Sequence, residues 1–474
     1  MIKPHAISTH LTADGSREVS TICALATGTG GALGIIRISG PKAIEIVNII
    51  TSKDVNTFSP NFVHYSYVVD KNENFEQFGK SSNIIDEVMV TVFRKPHSYT
   101  GEDSVEISCH GSRYIINKVL ELLIANGCRM AEPGEYTKRA YLNGKLDLSQ
   151  AEAVADLIAS TNKATHKLAI SQLRGGISNQ LTQLREQLLK LTSLLELELD
   201  FSDHEDLEFA NRTELQRLAN KIYNHIQHLA HSFETGQAIK QGIPVAIVGK
   251  TNVGKSTLLN RLLHEDRAIV SDIHGTTRDT IEDTIDLRGI QFRFIDTAGI
   301  RQTTDEVEKI GIGRTFSAID KAHIVLWVID EEPSIKEFDQ IIQYSENKKL
   351  IIVKNKIDKV VFKALTTVNI PLIDISAKQG TNISELEQAI YDAANIPTLS
   401  DTDIVVTNAR HYDALLRAGN NIRRVLDGLA SNLSGDLLSE DLRQTIDTLS
   451  EITGSQITTD EVLGNIFTHF CVGK

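Results

Sequence analysis

The chain has 474 residues, enough for about two to four domains, and its 41% apolar and 23% charged residues are typical of a globular protein. Its 49 basic and 62 acidic residues give a net charge of −13, which argues against nonspecific binding of nucleic acid through a uniformly basic surface. The 4 cysteines are far apart and form no CxxC pair, which fits a reducing cytosol better than a disulfide framework or a zinc site. The first residues lack the apolar run of a signal peptide, and no run is long enough to span a bilayer. We therefore expect a cytoplasmic protein without a membrane span.

The region from Thr21 to about Met130 predicts a mixed α/β domain, because short runs rich in β-branched residues alternate with segments of helical periodicity. Strands are predicted at 34–38, 88–93 and 105–108, and helices at 41–50 and 113–126. We expect this N-terminal α+β domain to occupy residues 1–146.

From about Leu148 to Ala238 the pattern predicts helices. Leucines recur at spacings of three and four residues on one helix face, which indicates core packing or a helix-bundle seam: Leu181, Leu184, Leu188, Leu191 and Leu195. The acidic stretch 200–208 is typical of a solvated loop between two such helices. The pattern is helical again after Pro397, so residues 147–238 and 399–474 are expected to form the two halves of one discontinuous helical domain.

The pattern changes at Ile243, where a continuous apolar run ends in Gly249, as a buried parallel strand would. Further strands are predicted at 292–295, 324–329, 350–353 and 372–375, and helical segments lie between them. This alternation predicts a doubly wound α/β domain at residues 239–398, inserted into the helical domain.

Residues 249–256 read GKTNVGKS, the GxxxxGK[ST] phosphate-loop pattern, between a predicted strand and a predicted helix at 257–263. The glycines allow backbone N–H groups to wrap around phosphates at the start of the helix. Lys255 is expected to bridge the β- and γ-phosphates, and the Ser256 hydroxyl to bind Mg²⁺. Taken alone, the pattern also fits a purely structural strand–turn–helix. The residues predicted to bind GTP here are Asn252, Val253, Gly254, Lys255, Ser256 and Thr257.

Three further motifs follow predicted strands: DTAG at 296–299, NKID at 355–358 and SAK at 376–378. The Asp296 carboxylate can reach Mg²⁺ through water, and the Gly299 amide can meet the γ-phosphate. The Asp358 carboxylate can accept two hydrogen bonds from guanine, which adenine cannot supply, and an SAK amide can lie near the guanine oxygen. Because all four motifs stand at strand carboxyl ends, they predict a GTPase of the P-loop class. The residues predicted to bind GTP in these motifs are Asp296, Thr297, Ala298, Gly299, Asn355, Lys356, Ile357, Asp358, Ser376, Ala377 and Lys378.

The loop before DTAG contains GTTRD at 275–279. Thr277 can close onto Mg²⁺ when the γ-phosphate is present, so this loop should order with GTP and relax after hydrolysis. Its predicted GTP contacts are Ser271, Asp272, Ile273, His274, Gly275, Thr276 and Thr277.

The residue after DTAG departs from the Ras-like pattern. There a glutamine orients the attacking water, whereas this chain has Ile300, which has no donor or acceptor. Another group must orient the water, and a nucleotide-binding protein with negligible turnover remains an alternative.

With these motifs in place, the chain resembles the MnmE (TrmE) family of tRNA-modification GTPases, within the TrmE-Era-EngA-like group, over nearly its whole length. Outside the inserted domain the resemblance rests on GIIRISG at 34–40, GEDSVE at 101–106, the segment 133–157 and the CxGK-type ending at 471–474. It implies a homodimer formed by N-terminal domains that bind 5-formyl-tetrahydrofolate or a related folate as one-carbon donor. Cys471 could be a reactive thiol near that site, although a lone terminal cysteine is more often inert. The positions that match the family's folate contacts are Arg37, Glu106, Lys145 and Lys474.

The resemblance also implies that K⁺ supplies positive charge between dimerised GTPase domains, and that Glu308 orients the attacking water. The positions that match the family's K⁺ ligands are Asn252, Ser271, Ile273 and Thr276. The residues expected to act in catalysis are Glu308, Lys255, Asp296 and Cys471.

The implied function is a K⁺-dependent GTP hydrolase that works in a heterotetramer with an FAD-dependent partner resembling MnmG. Together they would add a (carboxymethyl)aminomethyl group to the 5-carbon of wobble uridine in tRNA, with a carbon derived from formyl-tetrahydrofolate. The alternative is a ribosome-assembly GTPase without modification chemistry, which the GTPase motifs fit nearly as well.

Overall fold

The computed structural model describes residues 9–11, 17–70, 84–200, 212–265, 283–295, 316–359, 370–396 and 403–455, together with 463, 466–468, 470 and 473. The chain divides into two compact units, one of residues 1–159, 172–223 and 417–474, and the other of residues 160–171 and 224–416. Each unit contains a six-stranded sheet.

The strands are β1 (Thr9–Leu11), β2 (Arg17–Val19), β3 (Ile22–Leu25), β4 (Leu33–Ser39), β5 (Val63–Val69), β6 (Ile84–Phe93), β7 (Ser104–His110), β8 (Arg129–Met130), β9 (Ile243–Val248), β10 (Asp283–Leu287), β11 (Ile290–Phe294), β12 (Ile324–Ile329), β13 (Lys349–Lys354) and β14 (Leu372–Asp374). The helices are α1 (Ala43–Ile50), α2 (Arg113–Ala125), α3 (Glu135–Leu142), α4 (Leu148–Ala159), α5 (Lys163–Leu173), α6 (Gly176–Asp200), α7 (Arg212–Gln241), α8 (Lys255–Glu265), α9 (Ile335–Tyr344), α10 (Ile383–Ala393), α11 (Ala409–Ala430) and α12 (Gly435–Thr453).

The sheet of the first unit has the strand order β5-β6-β7-β4-β3-β8, and every pair except β3–β8 is antiparallel. Helices α1 and α2 pack against this sheet. Side chains alternate along β4, so Ile36 and Ile38 are fully buried while Arg37 lies on the opposite face. The register places Arg37 directly opposite Glu106 on β7. The predicted N-terminal α+β fold is confirmed, and its register brings two predicted site residues together.

The helical part of the first unit contains the leucine stripe predicted from the sequence. All of its members lie on α6 and are buried, with Leu181 the most exposed at 5%. Helices α6 and α4 pack against α12. Leu463 and Phe467 near the C-terminus are buried with Leu148 on α4. These contacts bring the C-terminal segment back to the helices that follow the N-terminal sheet.

The sheet of the second unit has the order β10-β11-β9-β12-β13-β14, with only β10 antiparallel to its neighbour. Every residue of β12 is buried, as expected of a central strand covered on both faces. One hydrophobic cluster contains residues of α8 and α10, and another contains residues of β12 with partly buried Phe338 of α9 packed against it. The doubly wound α/β class is therefore confirmed.

In chain order, this α/β part lies between helices α7 and α11, as predicted for an inserted domain. The boundaries at 146, 238 and 398 remain predictions, and residues 201–208 of the predicted acidic loop lie outside the described residues. Among the described residues, no helix is long and apolar enough to cross a membrane.

Candidate functional site

The phosphate loop joins β9 to α8 and contains two glycines that no other residue could replace. Gly249 has a φ of +145°, and an added Cβ would overlap the Val328 carbonyl oxygen. Gly254 has a φ of +99°, and an added Cβ would overlap Asn355 Nδ2. Helix α8 begins at Lys255, two residues before the predicted helix at 257–263, because the polar first turn does not contribute to the apolar periodicity. The loop therefore has the strand–turn–helix setting that the motif requires.

The Lys255 amino group lies within this loop. Its Nζ donates to the carbonyl oxygen of Gly249 at 2.7 Å and to that of Lys250 at 2.6 Å. Burial lowers the pKa of Lys255. Ser256 follows as the second residue of α8. An ammonium group and a helix N-terminus at one loop form a favourable site for phosphate oxygens.

Asn355, at the end of β13, connects the phosphate loop to the SAK loop. Its side chain is buried, with 3% exposed. Nδ2 donates to the Val253 carbonyl oxygen at 2.8 Å, and Oδ1 accepts from the Ala377 N–H at 3.0 Å. One amide side chain therefore holds both loops in position.

Lys356 forms a second connection. Its Nζ donates to the Asn252 carbonyl oxygen at 2.6 Å and lies 2.6 Å from Asp330 Oδ2. Asp330 was not predicted as a site residue, although an acidic residue directly after the apolar strand 324–329 was a usable signal. This ion pair orients the lysine of the NKID motif toward the phosphate loop.

Asp358 is oriented by Ser376 of the SAK loop, whose hydroxyl donates to Asp358 Oδ1 at 2.7 Å. This hydrogen bond is the main cause of the lowered pKa of Asp358, so its carboxylate stays ionised. The SAK loop closes on itself, since the Gly380 N–H donates to the Ser376 carbonyl oxygen at 2.8 Å. An ionised carboxylate only accepts hydrogen bonds, as pairing with the two N–H donors of guanine requires.

The structure thus brings together the predicted GTP-binding residues of the phosphate loop, NKID and SAK. Among the described residues, no group of three or more His, Cys, Asp or Glu could hold a metal ion. The other predicted GTP, metal and catalytic positions of this domain lie outside the described residues: Ser271, Asp272, Ile273, His274, Gly275, Thr276, Thr277, Asp296, Thr297, Ala298, Gly299 and Glu308.

A second candidate site surrounds Arg37 in the N-terminal domain. Its Nε and Nη2 lie 2.9 and 2.8 Å from Glu106 Oε1, and Nη1 donates to the Gly473 carbonyl oxygen at 3.2 Å. The Arg37 Cζ lies 5.8 Å from the ring centroid of Tyr99 and 5.8 Å from that of Tyr136. The two charged side chains are 23% and 27% exposed. A half-buried ion pair, two aromatic rings and the C-terminal segment therefore meet at one place.

The other residues predicted for this second site are less directly placed. Lys145 Nζ donates to the Pro96 carbonyl oxygen at 3.1 Å, in the segment that also carries Tyr99. Cys471 and Lys474 lie outside the described residues, on either side of Gly473. Tyr136 was not predicted as a site residue, although it belongs to the segment 133–157 that carries the family resemblance. Its hydroxyl donates to the Arg37 carbonyl oxygen at 2.7 Å.

Helix α3, which carries Tyr136, is fixed by a buried guanidinium. Arg139 is 1% exposed and lies 2.9 Å from Glu135 and 3.0 Å from Glu102. Its Nη2 also donates to the Ser20 carbonyl oxygen at 2.9 Å. Burying a guanidinium is favourable only when its donors are satisfied in this way, so the network stabilises the wall of the second site.

The doubly wound sheet, the phosphate loop after β9 and the guanine-type motif after β13 define a GTP-binding protein of the P-loop class. Family comparisons add a match of residues 148–471 to the MnmE helical domain and of residues 21–145 to the GTP-binding protein TrmE N-terminus. The chain belongs to the MnmE family of tRNA modification GTPases.

Individual relatives support this assignment. The tRNA modification GTPase MnmE of Phocaeicola vulgatus is 54% identical over 493 residues, covering 96% of this chain and 99% of that protein. Proteins of the same name from Bacteroides fragilis and Flavobacterium johnsoniae are 55% and 50% identical, with coverage of 96% of this chain and 99% of each relative. The G domain of the T. maritima FeoB iron transporter aligns with 32% of this chain and 98% of its own at 22% identity, but its TM-score of 0.24 supports no further comparison.

Proposed function

We propose that this protein is a K⁺-dependent GTP hydrolase that, with an FAD-dependent partner resembling MnmG, adds a (carboxymethyl)aminomethyl group to the 5-carbon of wobble uridine in tRNA. The observation that carries the proposal is the presence, in one chain, of a guanine-nucleotide site and of the separate Arg37–Glu106 site contacted by the C-terminal segment. The names of the relatives and the match to the TrmE N-terminus favour modification over ribosome assembly. GTP hydrolysis would open and close a dimer rather than supply the transferred atoms.

At the nucleotide site, we assign Asp358 to the base, Lys255 to the phosphates, and Ser256 with Thr277 to Mg²⁺. The Ser256 hydroxyl suits a hard cation, because it offers an oxygen ligand in the first turn of α8, where the phosphate loop ends. Mg²⁺ held by Ser256 and Thr277 would supply positive charge that offsets the negative charge of the phosphates during hydrolysis. Asp296 would hold a water of the Mg²⁺ shell.

The K⁺ assignment rests on Asn252 together with Ser271, Ile273 and Thr276. Asn252 has a φ of +61°, and its carbonyl oxygen is held by Lys356 Nζ, so this part of the loop is fixed in an unusual conformation. An amide oxygen suits a hard cation such as K⁺. When bound, K⁺ supplies the positive charge that other GTPases take from an arginine.

Hydrolysis rates in KCl and NaCl test this assignment. We expect turnover to be severely slower in NaCl, and equal rates would contradict the K⁺ site. Glu308→Ala should abolish turnover and leave the affinity for GTP unchanged, because Glu308 is assigned to the attacking water. Glu332→Ala, an exposed acidic residue after β12, is the matched control and should hydrolyse GTP normally. Persistent turnover in Glu308→Ala would show that another group orients the water.

In the N-terminal domain, we assign a folate to the Arg37–Glu106 site. The Glu106 carboxylate can accept from a pterin edge, the rings of Tyr99 and Tyr136 offer apolar surface, and Arg37 and Lys145 can meet folate carboxylates. When bound, the folate supplies the one-carbon unit. In the sequence, Lys474 and Cys471 are one and two positions from Gly473, whose carbonyl oxygen contacts Arg37.

Binding of 5-formyl-tetrahydrofolate by calorimetry tests the folate assignment. Arg37→Ala removes the guanidinium and should weaken binding at least about tenfold, the loss expected for one charge-assisted contact. Its affinity for GDP should not change. Arg113→Ala, an exposed arginine at the start of α2, should bind folate normally. Normal binding by Arg37→Ala would place the folate elsewhere.

The assembly we propose is a homodimer that joins two partner subunits in a cytoplasmic heterotetramer. Light scattering of the purified protein, with and without the partner, measures both stoichiometries. A monomer at all concentrations would contradict the dimer.

A further inference from the structure

Arg261 on α8 contacts the SAK loop, although it belongs to no nucleotide-binding motif. It lies six residues after Lys255 on the same helix. Its Nε donates to the Ala377 carbonyl oxygen at 3.3 Å, and its Nη2 donates to the Lys378 carbonyl oxygen at 2.8 Å. The helix itself is fixed, because Leu258 and Leu262 are buried in the core of the α/β sheet. A side chain on a rigid helix therefore donates to two consecutive carbonyl groups of the SAK loop.

The loop curves closely around the guanidinium. Gly380 has a φ of +79°, and an added Cβ would lie 3.6 Å from Arg261 Cζ. The Ala377 N–H already donates to Asn355 Oδ1 at 3.0 Å. The Gln379 N–H donates to Ser376 Oγ at 3.3 Å. Two of the three amides around Lys378 are therefore engaged inside the protein.

Peptide geometry fixes the direction of the remaining amide. In a planar trans peptide, the C=O of one residue and the N–H of the next point in opposite directions. Because Arg261 holds the Ala377 carbonyl group, the Lys378 N–H must point away from Arg261. The loop thus presents one oriented donor on the side opposite the guanidinium.

We propose that Arg261 is a positioning residue that determines recognition of guanine O6, by turning the Lys378 N–H toward the base. This inference rests on the role in base binding proposed above for Asp358 and the SAK loop. It also gives α8 two functions, since the same helix carries Lys255 at its phosphate end and Arg261 at the base loop.

Nucleotide analogues distinguish a specific effect of Arg261 on O6 recognition from a general stabilisation of the SAK loop. IDP keeps O6 but lacks the 2-amino group, which is one of the two guanine donors assigned to Asp358. The diphosphate of 2-aminopurine riboside keeps the 2-amino group and lacks O6. It also lacks the N1–H, so the informative quantity is the change in the affinity ratio between wild type and variant, as in a double-mutant cycle.

The experiment measures dissociation constants of GDP, IDP and 2-aminopurine riboside diphosphate for full-length wild type and Arg261→Ala. We expect the preference for GDP over the 2-aminopurine analogue to fall about tenfold, equivalent to about 1.4 kcal/mol. The preference for GDP over IDP should stay constant, because Asp358 and Ser376 are untouched. Arg261→Lys, which keeps a charge and a donor, should give an intermediate loss.

Arg288→Ala is the matched control, because that guanidinium contacts Gln388 and Tyr391 in the same unit and not the SAK loop. Neither preference should change in it. An equal loss of affinity for all three nucleotides in Arg261→Ala and Arg261→Lys would show a structural brace only and overturn the inference. If wild type itself does not prefer GDP to IDP, the assignment of the base site fails, and the inference fails with it.

Discussion

Replacing Asn355 with alanine tests the most buried link in the nucleotide site. The change removes the hydrogen bonds to the Val253 carbonyl oxygen and from the Ala377 N–H, and leaves both backbone groups without this partner. Each buried polar group left unsatisfied costs about 1–3 kcal/mol, so the two together cost about 2–6 kcal/mol. Asn355 is only 3% exposed, but it lies between two surface loops rather than in the hydrophobic core of the sheet. We therefore expect a loss of folding stability near the lower limit, about 2 kcal/mol, and weaker GDP binding because the two loops that contact the nucleotide lose their common brace.

The assay is the dissociation constant of GDP at fixed Mg²⁺ for Asn355→Ala, with thermal melting in the absence and presence of saturating GDP. We expect weaker binding and a lower melting temperature without nucleotide, because the two loops lose their common brace. Asn260→Ala is the matched control, since Asn260 is exposed on α8 and should bind GDP normally. Wild-type affinity together with wild-type melting in Asn355→Ala would refute the reasoning that this side chain holds the two loops.

Asp358→Asn should change the base preference from guanine to xanthine, because the amide can donate to the 2-oxo group of xanthine and accept from its N1–H. If the variant still prefers GDP to XDP, this prediction is wrong. The Ser376 hydroxyl holds the pKa of Asp358 below its ordinary value, so the GDP–IDP preference should be the same at neutral pH and at about pH 4, where an ordinary aspartate is already partly protonated. Ser376→Ala should lose this preference at a higher pH than wild type does, and a wild-type preference that fades by about pH 4 would show that the carboxylate is not held ionised. Arg139→Ala should lower the free energy of unfolding by about 3 kcal/mol in urea titrations, because it removes the cation of Glu102 and one of the two cations of Glu135, which keeps its ion pair with Arg129. An unchanged midpoint would mean that the network is not stabilising.

The fold and the local chemistry of the nucleotide site follow closely from the sequence. The apolar run before Gly249 and the strand at 324–329 could be identified because strands buried on both faces are continuous runs of apolar residues. The phosphate loop and NKID were found because their chemistry requires fixed residue types at fixed spacing. Local sequence motifs of this kind can be recognised without knowledge of the tertiary contacts.

Residues that act by positioning other residues belong to no recognisable sequence motif. Arg261 is one more arginine on a helix, and only the fold shows that it meets the SAK loop, which is more than one hundred positions away in the chain. The register that sets Arg37 opposite Glu106 depends on strand pairing, which the alternation in β4 and β7 alone does not specify. Asp330 was visible as an acidic residue after a strand, but its lysine partner depends on the order of the parallel strands.

Mass spectrometry of tRNA nucleosides can show whether the GTPase site of this chain serves tRNA modification. The samples are tRNA from cells lacking the protein, and from the same cells with wild type or Asp296→Ala restored. We expect a 5-substituted wobble uridine to disappear without the protein and to return with wild type only. Unchanged nucleosides in the deficient cells, or full restoration by Asp296→Ala, would contradict it.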